Sequence, residues 1–379
     1  MMDGNRWAYN LLLEAIGDRL FKVPTSVLQK EIRDLIKKKE MDKSLAIYEV
    51  PEQCFNSAFR DIFKAKATIK ANSASKKKKM GKGFSYPERL RNKTKKDSGN
   101  SIEIKGRDFE YLSEKREIRF FPRYFGFKKN EGIKIKTDLG KLNIKFDYSC
   151  RLVRDGDIFY LNIPYHRIVE EVKTEAVCSI DPGIRSFLPG YDPEKGIFEI
   201  ATQNDSIYKR QRLISKLQTK MEKETSKRKK KKYGKRINKL YRKIRNCIND
   251  MHHKVSKTLS QSFKKILLPE FTTSKMAKKE ENNRKRKIGK TSAHRLLTFG
   301  HYKFRKLLEH KMKLRGGKVV VCTEEYTSMT CSECGRLNHN LGSSKVFQCG
   351  YEDCSLVIDR DVNGARNIYR KNYDLLEKA

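Results

Sequence analysis

Four of the nine cysteines crowd into residues 331–354, as Cys331-x2-Cys334 and Cys349-x4-Cys354, and this spacing constrains the chain more than any other feature. Two tight turns, each offering a pair of thiolates, surround one Zn²⁺ tetrahedrally, and residues 335–348 supply the hairpin of a ribbon. Four protein ligands close the shell, so the ion is structural and holds no reacting water. His339 is the alternative fourth ligand. A disulfide framework would need a secreted chain and wider pairings. The expectation is therefore a metal in a reducing intracellular compartment, cytoplasm or nucleus. Cys54, Cys150, Cys178, Cys247 and Cys322 are scattered through apolar or mixed contexts and read as small buried residues.

Charge narrows the partner. Among 379 residues, 86 Lys and Arg stand against 46 Asp and Glu, a formal net charge of +40. Such an excess points to a polyanion, either nucleic acid or an anionic membrane. No apolar run reaches the roughly 18 residues of a membrane span. The opening segment carries acids and no small-residue cleavage site, unlike a secretory signal. Nucleic acid is the expected partner. Basic runs at residues 76–79, 227–236 and 284–290 are its candidate contacts, and the first is also a candidate nuclear-import signal.

Periodicity divides the chain into a mixed α/β order. Residues 1–95 read as a helical region ending in a basic, small-residue linker at 73–83. Residues 96–170 hold short alternating runs separated by Gly, Asp and Asn, an antiparallel β region with a hairpin turn at 154–157. Residues 171–325 alternate strands ("EAVCSID", "GIFEIA", "KKILLPEF", "GKVVVCTEE") with helices, including an insertion at about 205–265 whose basic tip is 227–236 and a helix from about 293 to 314. The cysteine segment, 326–356, and a closing helix, 357–379, complete the chain. His252 and His253 read as a packed or RNA-contacting pair, and Tyr302 and Phe304 as core-facing.

Acids sit where such a sheet would gather them. Asp181 ends a strand and is followed by Pro182-Gly183, which exposes it; an ordinary turn aspartate is the plain alternative. Asp361 opens the last helix, where Asp also serves as a cap. Gly364 and Ala365 let that helix approach the sheet. Glu270, Glu324 and Glu325 compete as the third acid. Carboxylates converging on two Mg²⁺ or Mn²⁺ ions about 4 Å apart would hydrolyse phosphodiesters. No nucleophile triad and no G-x-x-x-x-G-K phosphate loop offers a different chemistry.

The motifs "SIDPGIRSF", "EEYTSMTCSECG" and "DRDVNGARNI", in this order, resemble the TnpB proteins of bacterial insertion sequences and still more their Fanzor relatives in eukaryotes and viruses. "LLPEFTTSKM", "NDMHHKVSKTL" and "HRLLTFGHYKFRKLLEHK" extend the resemblance over residues 175–370. It implies an RNase H-like RuvC nuclease domain with a helical insertion and a zinc ribbon, preceded by a helical recognition region and an antiparallel β-barrel. It also implies a transposon-associated, RNA-guided DNA endonuclease that takes a guide RNA derived from its element and a double-stranded DNA target. By position, Asp181 and Asp361 match the first and last catalytic aspartates. Glu324 matches the middle acid of Fanzor-like members, with Glu270 and Glu325 as alternatives. Cys331, Cys334, Cys349 and Cys354 match the ribbon ligands, although C-x4-C departs from the commoner C-x2-C.

A second departure is that the family has a strand ahead of its first helix, whereas this chain starts at or within that helix. The competing expectation is a catalytically decayed RNA- or DNA-binding protein of a mobile element. A junction resolvase or transposase acting without a guide is the third, though it leaves the helical and β regions without a task.

Overall fold

The computed structural model describes residues 2–38, 52–80, 90–94, 101–135, 138–140, 148–155, 158–165, 169–183, 187–200, 204–271, 289–342 and 344–377. They form two compact units, 1–167 and 168–379.

The first unit opens with helices α1 (Met2–Ile16), α2 (Arg19–Lys22), α3 (Thr25–Lys38) and α4 (Glu52–Met80). Ala8, Leu12 and Ile16 recur at four-residue intervals and meet Phe55, Phe59, Ile62 and Phe63 of α4 in one apolar seam. The expected linker at 73–83 is instead helical as far as Met80, because nothing in 73–80 breaks a helix and Lys, Ala and Met favour one; residues 81–83 lie outside those described. Strands β1 (Ser101–Ile104), β2 (Phe109–Leu112), β3 (Glu117–Phe120), β4 (Ile133–Lys134), β5 (Cys150–Asp155) and β6 (Ile158–Asn162) follow, with α5 (Pro122–Phe125) between β3 and β4. β5 and β6 pair as the expected hairpin, Asp155 opposite Ile158. The expected barrel does not appear among the described residues. The strands make two separate three-stranded sheets, β1-β5-β6 and β2-β3-β4. Pro122 supplies no amide to extend β3, so the chain turns into α5 there. The run "KLNIKFDY" lies almost wholly outside the described residues.

The second unit is a five-stranded sheet, ordered β11-β10-β7-β8-β9, from β7 (Val177–Ile180), β8 (Leu188–Asp192), β9 (Gly196–Ile200), β10 (Lys265–Pro269) and β11 (Lys318–Cys322). β7, β8 and β9 are antiparallel neighbours, while β10 runs parallel to both β7 and β11. Helices α6 (Asn204–Lys223) and α7 (Lys227–Ser262) precede β10; α8 (Lys290–Phe299) and α9 (His301–Leu314) precede β11. The expected single helix near 293–314 is broken at Gly300, whose φ of +60° is a left-handed position open to glycine.

Ile266 and Leu268 of β10 enter a core with Ile237, Ile244, Ile248, Val255 and Leu259 of α7. The alternate residue, Leu267, faces the opposite cluster with Cys322 and Ile368. Burial on both faces explains the unbroken apolar run of this strand. The chain ends with the ribbon strands β12 (Val346–Gln348) and β13 (Val357–Asp359), then α10 (Arg360–Asn372) and α11 (Asp374–Glu377).

At the head of the second core, Phe187 is stacked between two buried histidines, with centroids 5.5 Å from His252 and 5.1 Å from His301. His252 Nε2 meets the Phe299 carbonyl at 2.8 Å. His301 lies against the Gly183 backbone, and neither of its ring nitrogens closes a hydrogen bond of full geometry. His253 is exposed, so the histidine pair divides between core and surface. Phe304 is core, but Tyr302 is 59% exposed and carries the Arg305 guanidinium 5.4 Å from its ring. Two positions along a helix turn about 200°, which puts the two rings on opposite sides.

Burial holds His252 and His301 each at about 4, well below the usual 6.5. With folded-state values below unfolded ones, the stability is complete above pH 6.5 and is lost as pH falls toward 4. The loss expected is about 3 kcal/mol for each ring. A His301→Phe variant keeps the stack and removes one titration. Urea unfolding at pH 7, 5.5 and 4.5 should therefore show a shallower acid loss for His301→Phe than for the parent.

Candidate active site and metal centre

Because β7, β10 and β11 are parallel, their carboxyl ends share one edge of the sheet, the side on which open α/β sheets hold ligands. Asp181 follows β7, Glu270 follows β10, and Glu324 lies two residues past β11. Register then sorts the candidates. Pro269 pairs with Cys322, and the Glu270 amide donates to the Cys322 carbonyl at 3.2 Å, with the Glu270 side chain exposed. Glu324 is half-buried and Glu325 is exposed.

The helix α10 brings the remaining acid. Its cap is Asp359, not Asp361: the Asp359 carboxylate accepts from the Asp361 amide at 2.8 Å and the Val362 amide at 3.3 Å. Asp361 is thereby relieved of capping. The helix lies close against the sheet. Ser179 Oγ donates to the Ala365 carbonyl at 2.7 Å, and a Cβ at Gly364 would stand 2.5 Å from Asp181 Oδ2.

The charges of this edge act on one another. Enclosure by protein, then the nearby Glu324 and Asp361 charges, raise the Asp181 carboxyl well above the ordinary range, and Arg360 opposes them. Burial also raises Glu324. The Cys322 thiol is pushed to about 12 by burial, with Glu324 and Asp181 adding to it. The charges of Glu324 and Asp361 therefore both act on Asp181 at this edge.

The four cysteines also meet. Their Sγ atoms all lie within 4.8 Å of one another, with Cys331–Cys354 and Cys334–Cys349 each at 3.7 Å. Tetrahedral ligands at about 2.3 Å from a metal stand about 3.8 Å apart, so the cluster fits one ion. The knuckles are closed by backbone bonds from Cys331 N to Arg336 O at 2.8 Å and from Cys349 N to Leu356 O at 2.9 Å. Hydrogen bonds from the Arg336 amide and guanidinium pull the Cys334 thiol down to about 6, toward the thiolate a metal takes, whereas burial raises Cys331 and pushes Cys349 up to about 12. His339 is not one of the group.

Three asparagines that the sequence reading passed over join the two sites. Asn367 Nδ2 donates to the Thr327 carbonyl at 2.9 Å and the Thr330 carbonyl at 2.6 Å. Asn363 Nδ2 donates to the same Thr330 carbonyl at 2.7 Å while its Oδ1 accepts from the Ser332 amide at 3.0 Å. Asn372 Nδ2 donates to Thr323 O at 3.1 Å. Asn363 and Asn367, on one face of α10, therefore clamp residues 327–332 up to the first cysteine knuckle, and Asn372 at the carboxyl end of the helix holds Thr323 beside Glu324. The signal was present in the spacing of Asn363 and Asn367, four apart and so on one helical face.

Two outcomes follow. Gly364→Ala should be mild for helix formation, since Ala is the better helix former by about 1 kcal/mol, yet its methyl displaces the Asp181 carboxylate. Divalent-ion affinity, followed by Mn²⁺ electron paramagnetic resonance, should fall at least about tenfold, a loss near 1.4 kcal/mol. Asp181→Asn should stabilise the metal-free protein at pH 7, because the amide removes the carboxylate that burial and the neighbouring charges disfavour. The folded-state value of Asp181 is raised, so its contribution to stability is full only below the unfolded value and is lost as pH rises. Thermal melts should show the advantage of Asp181→Asn shrinking as pH falls toward 4.

With this geometry in place, comparison with known proteins is informative. Residues 161–280 match the family model OrfB_IS605, described as "Probable transposase", and residues 301–368 match the "Cas12f1-like, TNB domain" model. The chain is 27% identical to "Putative transposase A625R" of Paramecium bursaria Chlorella virus 1, over 97% of this chain and 82% of that one. It is 32% identical to "TnpB-like protein L79" of Acanthamoeba polyphaga mimivirus, over 52% of this chain and 38% of the relative. It is 27% identical to "Putative RNA-guided DNA endonuclease InsQ" of Escherichia coli K12, over 54% of each. The chain spans about half or less of the last two relatives. The two matched segments carry Asp181, Glu324, Asp361 and all four clustered cysteines, and over these segments the chain is similar to TnpB-like proteins.

Proposed function

We propose that this chain is a transposon-associated, RNA-guided DNA endonuclease in which Asp181, Glu324 and Asp361 are the catalytic carboxylates. The observation that carries the reading is their convergence at the carboxyl edge of the sheet, where each charge is felt by Asp181. In this reading residues 171–325 and 357–379 form a RuvC-like nuclease domain, 326–356 a zinc ribbon, 1–95 a recognition-like helical region and 96–170 a wedge-like β region. The similarity to "Putative RNA-guided DNA endonuclease InsQ" supports a guide RNA and a DNA duplex as partners.

The donor sets fit different ions. Four thiolates suit Zn²⁺, which holds the ribbon together. Hard carboxylate oxygens suit Mg²⁺ or Mn²⁺. Bound at the acids, two such ions would supply an activated water and charge relief for the leaving oxygen. The chain's own work is positioning. Asp181 sits at a strand end held by its amide bond to the Pro189 carbonyl at 2.9 Å, and Asp361 on the first turn of a helix capped by its neighbour. Burial, with the added charges of Glu324 and Asp361, raises Asp181 toward its protonated form, so loading the site with cations should release protons. Arg360 moderates that rise from the same turn.

Several features supply the phosphate contacts. The net charge is +40. Residues 227–236 form the first turns of α7, not a tip between helices, because Ser226 caps the helix by accepting from the Lys229 amide. The run at 284–290 lies mostly outside the described residues, and the side chains of 76–79 also lie outside them. Among the described residues no helix is long and apolar enough to cross a membrane. Thiolate ligands imply a reducing compartment.

The test is plasmid cleavage by the full chain with its co-purified RNA, a matched target and Mg²⁺. Asp181→Asn, Asp361→Asn and Glu324→Gln should each lower the rate at least about a hundredfold, a loss near 3 kcal/mol, with RNA affinity unchanged. Glu270→Gln and Glu325→Gln should cut within a few-fold of the parent. A parent chain that holds its RNA tightly and never cuts would instead establish the decayed binder; a dead Glu270→Gln beside an active Glu324→Gln would move the middle acid.

A further inference from the structure

The turn between β3 and β4 sets Phe120, Phe121, Tyr124, Phe125 and Phe127 within eight residues. Phe120 belongs to the core, stacked on Phe109 with centroids 6.4 Å apart. From there the rings run outward. Phe125 meets Phe120 edge-on at 5.6 Å, stacks on Phe127 at 5.4 Å with 24° between planes, and has Tyr124 edge-on at 5.3 Å. Phe125 is 40% exposed and Tyr124 41%. A ladder of rings thus begins in the interior and ends in water.

The backbone holds this ladder in place. The Phe121 carbonyl accepts from the Tyr124 amide at 3.0 Å and the Phe125 amide at 3.2 Å, and the Phe127 amide donates to Pro122 O at 3.0 Å. Phe121 itself has φ +48°, a left-handed conformation that a bulky residue adopts only under constraint. Gly126, at φ +65°, reverses the chain so that Phe127 returns beside Phe125. Rings fixed before binding lose little freedom on contact. Beyond them Lys128 and Lys129 are exposed, and Glu131 is engaged with the Lys128 amide at 2.9 Å.

We propose that this tip is a stacking site for unpaired nucleic-acid bases, with Phe125 and Phe127 offering ring faces and Lys128 and Lys129 meeting the phosphates. Flat rings beside cations are what a single strand requires, because every base has a π-face and every nucleotide a charge. A duplex hides those faces inside its own stack. The guided-nuclease reading needs RNA and DNA but assigns no base to this turn, and the stacking site stands whether or not the acids cut.

The chain has one tryptophan, Trp7, so a site reporter is available as Phe125→Trp in a Trp7→Phe background. The full chain, stripped of RNA and free of divalent ions, is titrated with oligo(dT), oligo(U) and a duplex, each of about 15 nucleotides per strand. Single strands should quench the tryptophan strongly and the duplex should leave it bright; the stronger of oligo(dT) and oligo(U) tells DNA from RNA. In the parent background, Phe125→Ala and Phe125→Leu should weaken single-strand binding about tenfold with duplex affinity unchanged. Lys128→Ala should flatten the salt dependence by about one ion. Unquenched tryptophan at saturation, equal quenching by the duplex, or Phe125→Ala binding like the parent would overturn the site. So would emission that responds to an added protein and not to oligonucleotides. No cleavage enters these readings, so they fail or hold apart from the nuclease assignment.

Discussion

The close seat of α10 on the five-stranded sheet is the constraint on which the rest of the second unit depends. It is possible because Gly364 offers no methyl where the Asp181 carboxylate stands and because the Ala365 carbonyl reaches the buried Ser179 hydroxyl. A larger residue at either position would lift the helix, and with it Asp361, from the strand end. The same helix faces three ways. Gly364, Ala365 and Ile368 meet the sheet, Asn363 and Asn367 meet the segment before the cysteines, and Tyr369 meets Tyr191 with centroids 5.7 Å apart. Short side chains and amides are therefore required together in a stretch that holds both.

This seat also explains why acids and cysteines lie next to each other in the sequence. Losing either Asn363 or Asn367 would leave buried backbone groups without partners, each at about 1–3 kcal/mol. The clamp and the ribbon thus support one another. Folding of the cysteine knuckles fixes Ser332 and Thr330, these fix the helix through two amides, and the helix fixes the carboxylates. In the absence of cations burial disfavours the Asp181 carboxylate, and the neighbouring Glu324 and Asp361 charges add to that cost. The site is stable because the surrounding sheet, clamp and cap over-determine it, a usual feature of positions that store strain for function.

Much of this was legible in the chain itself. Cysteine spacing announced the cluster of four thiols, and the small pair Gly364-Ala365 announced the close approach of α10 to the sheet. Other features were not, for physical reasons. Asp359 and Asp361 are both good caps by composition, and only the hydrogen bonds of Asp359 decide between them. Glu270 and Glu324 follow adjacent parallel strands, and the difference in their burial is invisible to periodicity. The barrel expected in the first unit rested on runs of alternating residues, yet alternation specifies a strand and not its closure with others. β8, with Pro and Gly inside it, carried no strand signal, and its place comes from pairing with β7 and β9.

The basic run at the start of α7 shows what the fold leaves unresolved within the chain. Lys227, Arg228, Lys229 and Lys230 occupy the amino end of a helix, where the macrodipole already presents positive charge. Each is unfavourably placed, and their mutual repulsion adds to the cost. Ser226 answers one amide; the acid within reach is Glu224, 3.8 Å from the exposed Lys229 ammonium, an ion pair worth little in water. The first turn of α7 carries no acid to relieve the rest. A phosphate backbone laid along it would relieve all of them at once, through counterion release as much as through contact. The crowded positive charge of this helix end and the large net charge are both of the kind a polyanion would balance.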